Sequence, residues 1–359
     1  MVTVASSTAI LMGYGMGSGL SEGLKPRPEK CYEELMKWLT LSELSACADQ
    51  YDAAIAKTPD IDRFCSSAPW IVSAAQALLG EPEPFITQSP DGFVAMMIIE
   101  IADGMRAAVP LEIGWGLAAP FAGANPQALV AQLDQMWATR HTEVDALIVS
   151  GIPNQSLWAQ QLVSRYISTK RIGLGESCMR RMASLHGGLH GFMNRRSANF
   201  RAKLRRAERR GAEAGLQYTY HRADPDGLLF KRILAIEADS WKGRLGEGFN
   251  QPPSANFYEQ MTARLHDNGA LRIVMAQLDE QDIGFVFGGV FQGVYRGLQM
   301  SYRADYAALE PGNLGQLMML KKMIEEGVST YDLGTDLAYK NRWAELSLET
   351  QLFAIMPAR

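Results

Sequence analysis

The stretch LRIVMAQLDEQDIGFVFGGVFQGVYRGLQMSYR, Leu271–Arg303, decides the fold of this chain. It contains three runs rich in β-branched and aromatic residues, separated by Asp279–Asp282 and by Gln292–Gly293. Short polar or glycine-containing segments between such runs are typical of β-hairpins. The stretch therefore predicts three antiparallel strands in a meander. A Pro/Gly loop and the helix-like segment LGQLMMLKKMIEE follow it, and Gly327 stands where a helix commonly ends.

The same order of elements occurs in the first half of the chain. The strand-like runs PFITQS, FVAMMIIEI and MRAAVPLEI precede a Gly/Pro loop, the helical segment QALVAQLDQMWATR and the apolar run VDALIVS. No close sequence identity connects the halves, so their similarity rests on element order. The sequence predicts an α/β (α+β) fold with two halves, each a mixed, mainly antiparallel sheet flanked by helices. We expect a flexible tail over residues 1–35, an N-terminal domain over 36–190 and a C-terminal domain over 191–359.

The bulk composition argues against several classes of protein. The chain has 359 residues, of which 47% are hydrophobic and 21% charged, and its net charge of −4 disfavours a duplex DNA binder, since such domains are usually basic. No apolar run reaches the roughly 18–20 residues that span a bilayer. The N-terminus has no Lys or Arg before its apolar part, so no secretory signal is expected. The four widely spaced cysteines predict reduced thiols in a cytoplasmic protein.

Six of the twelve residues in FRAKLRRAERRG, Phe200–Gly211, are Lys or Arg. Phe200, Leu204, Ala207 and Gly211 follow steps of three and four residues and form one apolar stripe. The pattern favours a helix that packs through this stripe and exposes its basic faces to solvent. A basic rim over a cleft that binds an anionic donor or substrate stays open as an alternative. Nucleic-acid reading is disfavoured, because aromatic residues are not interleaved as a single-strand platform needs.

Three segments together resemble the GNAT N-acyltransferases, and in particular the CelD-like group related to Fem-type aminoacyltransferases. They are FRAKLRRAERRG, then EADSWKGRLG from Glu237, and then LEPGNLGQLM with YDLGTDLAYKNRW. That group commonly has a helix with paired arginines, a Ser-Trp-Lys, a Pro-Gly loop, and a Tyr-Asp, Tyr-Lys and Trp ending. The resemblance covers roughly residues 190–345 well, and residues 40–190 by element order alone.

The resemblance implies transfer of an acyl group from acyl-CoA to an amine of a small molecule or a peptide. It also implies that the donor pyrophosphate sits at the start of the helix after the glycine loop, where free N–H groups and the helix dipole favour an anion. The implied donor-binding residues are Pro311, Gly312, Asn313, Leu314, Gly315 and Gln316. Classical members lead this loop with Gln or Arg, which this chain lacks. Two alternatives stay open: a Fem-type transfer from charged tRNA, and a catalytically inactive GNAT-like binding module.

Four residues are candidates for catalysis: Glu237, Asp332, Tyr339 and Tyr302. No metal cofactor is expected. Glu237 would accept a proton from the attacking amine, and Asp332 would orient that amine or act as its base. Tyr339 would protonate the leaving thiolate, with Tyr302 as a second candidate acid. The structural alternatives are a helix-surface carboxylate for Glu237, a loop hydrogen-bond acceptor for Asp332 and a core aromatic for Tyr302. The predicted substrate-binding residues are Trp241, Lys242, Lys340 and Trp343.

Overall fold

The computed structural model describes residues 36–79, 82–101 and 104–358. The predicted flexible tail, residues 1–35, lies outside these residues. Two compact units are present: the first holds the described residues up to 72, those of 81–178 and those from 350 onward, and the second holds 73–79 with 179–349. Each unit is thus built from separate segments of the chain.

The elements of the first part of the chain are short helices followed by strands. In chain order they are β1 (Lys37–Leu39), α1 (Leu41–Ala46), α2 (Ala48–Lys57), α3 (Ala68–Leu79), β2 (Glu83–Ser89), β3 (Gly92–Glu100), β4 (Arg106–Pro110), β5 (Phe121–Ala122), α4 (Pro126–Thr139), β6 (Ala146–Pro153), α5 (Leu157–Tyr166) and β7 (Lys170–Ser184). Within the first unit the strands are ordered β1-β2-β3-β4-β6-β13, where β13 is Leu346–Pro357. Among the strands described in this unit, only the β4–β6 pair is parallel, and β5 pairs with β3.

The loop after β4 closes on a buried carboxylate. Glu112 accepts backbone N–H groups from Leu117 at 3.0 Å and from Ala118 and Gly116 at 3.2 Å. Burial raises the pKa of Glu112 to about 7, against the opposing effect of these N–H donors. The N–H groups of this Gly/Pro loop therefore bind the carboxylate of Glu112, which belongs to the protein itself.

The second part of the chain contains the predicted meander. Its elements are α6 (Gly188–Asn194), α7 (Ala198–Glu213), β8 (Gln217–His221), α8 (Leu228–Ala238), α9 (Trp241–Arg244), α10 (Ser254–Asp267), β9 (Leu271–Leu278), β10 (Gln281–Phe291), β11 (Val294–Tyr302), α11 (Pro311–Glu325) and β12 (Thr330–Thr335). The strands are ordered β7-β12-β11-β10-β9-β8, antiparallel except for β11–β12. The predicted fold class, the meander and the helix after it are confirmed. Among the described residues, no helix is long and apolar enough to cross a membrane.

Helix α7 packs through the predicted stripe. Its buried residues are Phe200, Leu204, Ala207 and Gly211, and its N-cap residue Ser197 accepts the N–H of Phe200. A Cβ at Gly211 would lie 3.0 Å from the side chain of Leu314 on α11, so glycine lets the two helices approach closely. The predicted packed helix is therefore confirmed.

We expect Leu204→Ala to lower the free energy of unfolding by about 2–5 kcal/mol, because it leaves a cavity in the core under α7. The neighbouring Arg205 is exposed, so Arg205→Ala should change that free energy by less than about 0.5 kcal/mol. Urea denaturation followed by circular dichroism measures both. Similar small effects of the two substitutions would contradict the orientation of α7.

Candidate active site

Strands β11 and β12 separate after a short parallel contact. Their pairing covers three residue pairs, Val294–Arg296 with Thr330–Asp332. Beyond it β11 continues along β10, and β12 continues along β7. The gap between residues 297–302 of β11 and 333–335 of β12 is called the wedge below. Leu298 has no partner on β10, since Gln299 pairs with Phe287 and Gly297 with Gly288; such bulges are common next to active sites.

A buried ion cluster lies where the wedge begins. Arg296 donates to Asp332 Oδ1 at 2.8 Å, and the N–H of Gly334 donates to the same oxygen at 2.7 Å. Arg180 Nη1 lies 3.3 Å from Oδ2. Burial raises the pKa of Asp332, but the two guanidinium groups outweigh it and the net pKa is lowered. A carboxylate held in this way is a poor proton acceptor, so the geometry favours a structural or orienting role for Asp332 over that of a base.

Lys340 adds a third cation to this cluster. Its side chain is buried, with the residue only 9% exposed, and its ammonium donates to the carbonyl oxygen of Thr335 at 2.8 Å. Burial, and then the charge of Arg296, lower the pKa of Lys340 to about 8. The ammonium is therefore mostly charged at neutral pH.

Glu237, at the end of α8, is fully buried, so the alternative of a helix-surface carboxylate is wrong. Its Oε1 lies 3.2 Å from Lys242 Nζ and accepts the N–H of Phe249 at 3.4 Å. Its Oε2 accepts the hydroxyl of Ser240 at 3.4 Å. The carboxylate is thus held in place but keeps capacity for another hydrogen bond.

Lys242 connects Glu237 to the wedge. Its ammonium donates to Gln299 Oε1 at 3.4 Å, and the amide of Gln299 donates to the hydroxyl of Tyr258 at 2.7 Å. Gln299 belongs to the separated part of β11. The charge of Lys242 also lowers the pKa of Lys340, which places both ammonium groups within electrostatic range. The structure therefore brings four predicted residues together: Glu237, Lys242, Asp332 and Lys340.

The start of α11 carries a carboxylate that sequence reasoning missed. Glu310 precedes Pro311 with φ of 53°, and its side chain accepts the amide of Asn313 at 2.8 Å. From α7, Arg210 donates to Glu310 at 2.7 Å and Lys203 lies 3.2 Å away. The helix terminus at which a donor phosphate is expected thus already holds an anion with two cationic partners.

The loop glycines have a packing role. A Cβ at Gly312 would lie 3.1 Å from the ring of Tyr302, and one at Gly315 would lie 3.2 Å from Val286. Both glycines therefore let α11 lie close against β10 and β11. Tyr302 is half-buried with its ring against Gly312, as expected for its core-aromatic alternative.

The remaining predicted residues, Trp343, Trp241 and Tyr339, differ in how far they are exposed to solvent. Trp343 is 2% exposed, with its ring 5.1 Å from that of Phe200, so its indole has almost no surface left for a substrate. Trp241 is 52% exposed and Tyr339 41% exposed. Partial burial raises the pKa of the Tyr339 phenol, which keeps it protonated at neutral pH.

Sequence reasoning missed several residues around the wedge: Arg180, Arg296, Gln299 and Tyr258. Arg296 had a signal in the sequence, because it is the charged residue within the strand Val294–Tyr302, and a charge that is buried in a strand needs a partner. Arg180 lies in β7, a strand that was not predicted, and its position became visible only with the strand pairing.

Comparison with known proteins supports the resemblance to GNAT proteins. Residues 198–341 match the family model described as an acetyltransferase (GNAT) domain. No curated protein matches. The structure of FemX is similar, with 14% identity, a TM-score of 0.62 and coverage of 88% of this chain and 96% of that chain.

Two further solved structures share the fold. A conserved protein of unknown function from Bacteroides thetaiotaomicron has 14% identity, covers 89% of this chain and 99% of its own, and has a TM-score of 0.61. L-PGS from Bacillus licheniformis has 12% identity, coverage of 87% and 92%, and a TM-score of 0.53. Residues 198–341 of this chain therefore match a GNAT domain, and the chain has a fold similar to that of FemX.

Proposed function

We propose that this protein is an N-acyltransferase that moves an acyl group from acyl-CoA to an amine of a small molecule or a peptide. The observation that carries the proposal is the wedge between β11 and β12, with the buried carboxylate of Glu237 linked to it through Lys242 and Gln299. The wedge offers unpaired backbone groups of β11 to an acyl donor, and Glu237 offers a proton acceptor.

The chemistry follows from these groups. Glu237 accepts a proton from the ammonium, directly or through a water molecule, and the neutral amine attacks the thioester carbonyl. A C–N bond forms while backbone N–H groups of β11 near the bulge at Leu298 stabilise the negative oxygen. The C–S bond then breaks, Tyr339 donates its proton to the departing thiolate, and the resulting phenolate takes up the excess proton that remains on the attacking nitrogen. Because thioesters are already activated, positioning supplies much of the rate.

The proposed donor site is the start of α11, over residues 311–316. The N–H groups of Gly312 and Asn313 precede the first intrahelical hydrogen bond, which Leu314 makes with the carbonyl of Glu310. Lys203 and Arg210 fit a pyrophosphate here, whereas the carboxylate of Glu310 opposes it. Donor binding at this site therefore requires the two cations to be shared between Glu310 and the phosphates.

The second candidate is a Fem-type aminoacyl or peptidyl transfer from charged tRNA. Glu310 at the start of α11 favours it, because that carboxylate disfavours a CoA pyrophosphate at this place. Three arginines of α7, Arg205, Arg206 and Arg209, are exposed and offer cations to an RNA backbone. Such contacts are strongly salt-dependent.

Glu237→Gln should lower kcat by about 10²–10⁴-fold with little change in KM, because it removes the proposed base. Thiol release from acetyl-CoA in the presence of an amine measures this. Glu247→Gln is the matched control, since Glu247 is exposed on the same segment and should leave kcat unchanged. If Glu237→Gln keeps full turnover, the base is another group. If no thioester or charged tRNA is consumed at all, the chain is a binding module.

Glu310→Gln should strengthen CoA binding about threefold to tenfold at low ionic strength, because it removes a negative charge beside the proposed pyrophosphate site. Isothermal titration calorimetry gives the affinity. Glu325→Gln removes the same charge from the exposed far end of α11 and should have no effect. Unchanged CoA affinity in both variants would place the donor phosphates elsewhere.

Thermal stability in the presence of donors separates the two candidate functions. Acyl-CoA should raise Tm by mass action, whereas bulk tRNA should not. A Tm increase with tRNA alone, lost at higher salt and in a variant with Gln at 205, 206 and 209, would favour the Fem-type transfer.

A further inference from the structure

The side-chain nitrogen of Lys242 lies between the proposed base and the wedge. It is 3.2 Å from Glu237 Oε1 and 3.4 Å from Gln299 Oε1. Gln299 follows the bulge at Leu298, where N–H groups of β11 are proposed to stabilise the oxygen of the thioester carbonyl. A primary amine of the protein itself therefore stands where the proposed reaction needs the amine of an acceptor.

The backbone allows Lys242 to come this close. A Cβ at Gly243 would lie 2.1 Å from the carbonyl oxygen of Glu237, so glycine lets α9 fold back against the end of α8. A Cβ at Gly248 would lie 3.2 Å from Glu237 Oε1, so glycine also lets the chain pass close to the carboxylate. The hydroxyl of Ser240 accepts the N–H of Gly243 at 3.1 Å and fixes the start of α9. These contacts hold the lysine against the carboxylate.

The surroundings of Lys242 suit an amine that has to lose a proton. The ring of Phe249, which is buried, has its centre 6.0 Å from the lysine nitrogen. Transfer of a proton from that nitrogen to Glu237 Oε1 replaces two opposite charges by a neutral amine and a neutral acid, and burial disfavours charge. Glu237 is fully buried, whereas the Lys242 side chain is 22% exposed. The pair can thus form a neutral amine that a donor reaches from solvent.

We infer that Lys242 is a modification site, at which the protein acylates its own side-chain amine with the acyl group of the thioester donor. The inference rests on the proposed acyl transfer for the donor and the base, and on the position of Lys242 for the acceptor. It adds to that function an acceptor within the chain itself.

The reaction balances with the groups already named. Glu237 takes one of the three protons of the Lys242 ammonium, the N–C bond forms at the thioester carbonyl, and the C–S bond breaks. A second proton reaches the leaving thiolate through Tyr339, and the third stays on the amide nitrogen. Glu237 then releases its proton to solvent. The products are a free thiol and a neutral acyl-lysine.

The test maps acylated lysines in the full chain by tandem mass spectrometry after incubation with acetyl-CoA or octanoyl-CoA and no added amine. Lys231 is the internal control, since it is exposed and lies on α8, the helix that also carries Glu237. Non-specific acylation would favour this exposed lysine over a paired and largely buried one. We expect the reverse, with an initial rate at Lys242 at least tenfold above that at Lys231 for one of the two donors.

Two variants and one change of conditions keep the test decisive. Glu237→Gln should lower the rate at Lys242 about tenfold or more and leave Lys231 unchanged, because it removes the base. Glu247→Gln should leave both rates unchanged, since Glu247 is exposed. Wild type unfolded in urea should lose the preference for Lys242, which needs no substitution in the buried site. The inference is overturned by a rate at Lys242 no higher than at Lys231 in folded wild type, or by an unchanged rate in folded Glu237→Gln.

A parallel assay of thiol release with added ethanolamine, β-alanine or a lysine-containing peptide separates this inference from the proposed function. More than one thiol released per chain, without acylation of Lys242, would overturn the inference and leave the function standing. Acylation of Lys242 without turnover of an added amine would support the inference and count against these acceptors. Absence of both reactions would overturn the inference and the proposed function together.

Discussion

The site depends on one buried carboxylate. Asp332 is the last residue of β12 that pairs with β11, where it lies opposite Arg296, and its carboxylate also contacts Arg180 on β7. Removal of Asp332 would take this carboxylate from two buried guanidinium groups, and breaking a buried ion pair in this way commonly costs about 3–5 kcal/mol. One carboxylate therefore joins three adjacent strands at the point where two of them separate. The start of the wedge, and with it the position of Lys340, follows from this contact.

The two faces of the second sheet are used differently. On one face, glycines at 211, 312 and 315 bring α7, α11 and the strands into close contact. This face is occupied by core side chains, including the buried Trp343. On the other face the bulge at Leu298 sits among polar and charged groups from α8, α9 and α10. The proposed donor site at the start of α11 and the carboxylate of Glu237 thus belong to different faces, and the wedge lies between them.

Much of the fold was predictable from local patterns. The meander followed from runs of β-forming residues between turn residues, and α7 from a stripe at helical spacing, which the burial of Phe200 and Leu204 confirms. Strand β7 escaped prediction because KRIGLGESCMRRMAS is rich in glycine and arginine and has no clear alternation. The ion cluster escaped as well, since Arg180 and Asp332 meet only through strand pairing. Trp343 was predicted at the site, but its burial depends on rings from α6 and α7 that are distant in sequence.

The two oxygens of Glu237 are not equivalent as proton acceptors. Oε1 faces both the ammonium of Lys242 and the N–H of Phe249, and such contacts stabilise negative charge on it. Oε2 accepts the Ser240 hydroxyl at 3.4 Å, a distance at the weak end of a hydrogen bond. If Glu237 is the base, as proposed, Oε2 is the oxygen that would accept the amine proton, while Lys242 holds Oε1. In that proposal Lys242 and Ser240 are positioning residues for Glu237.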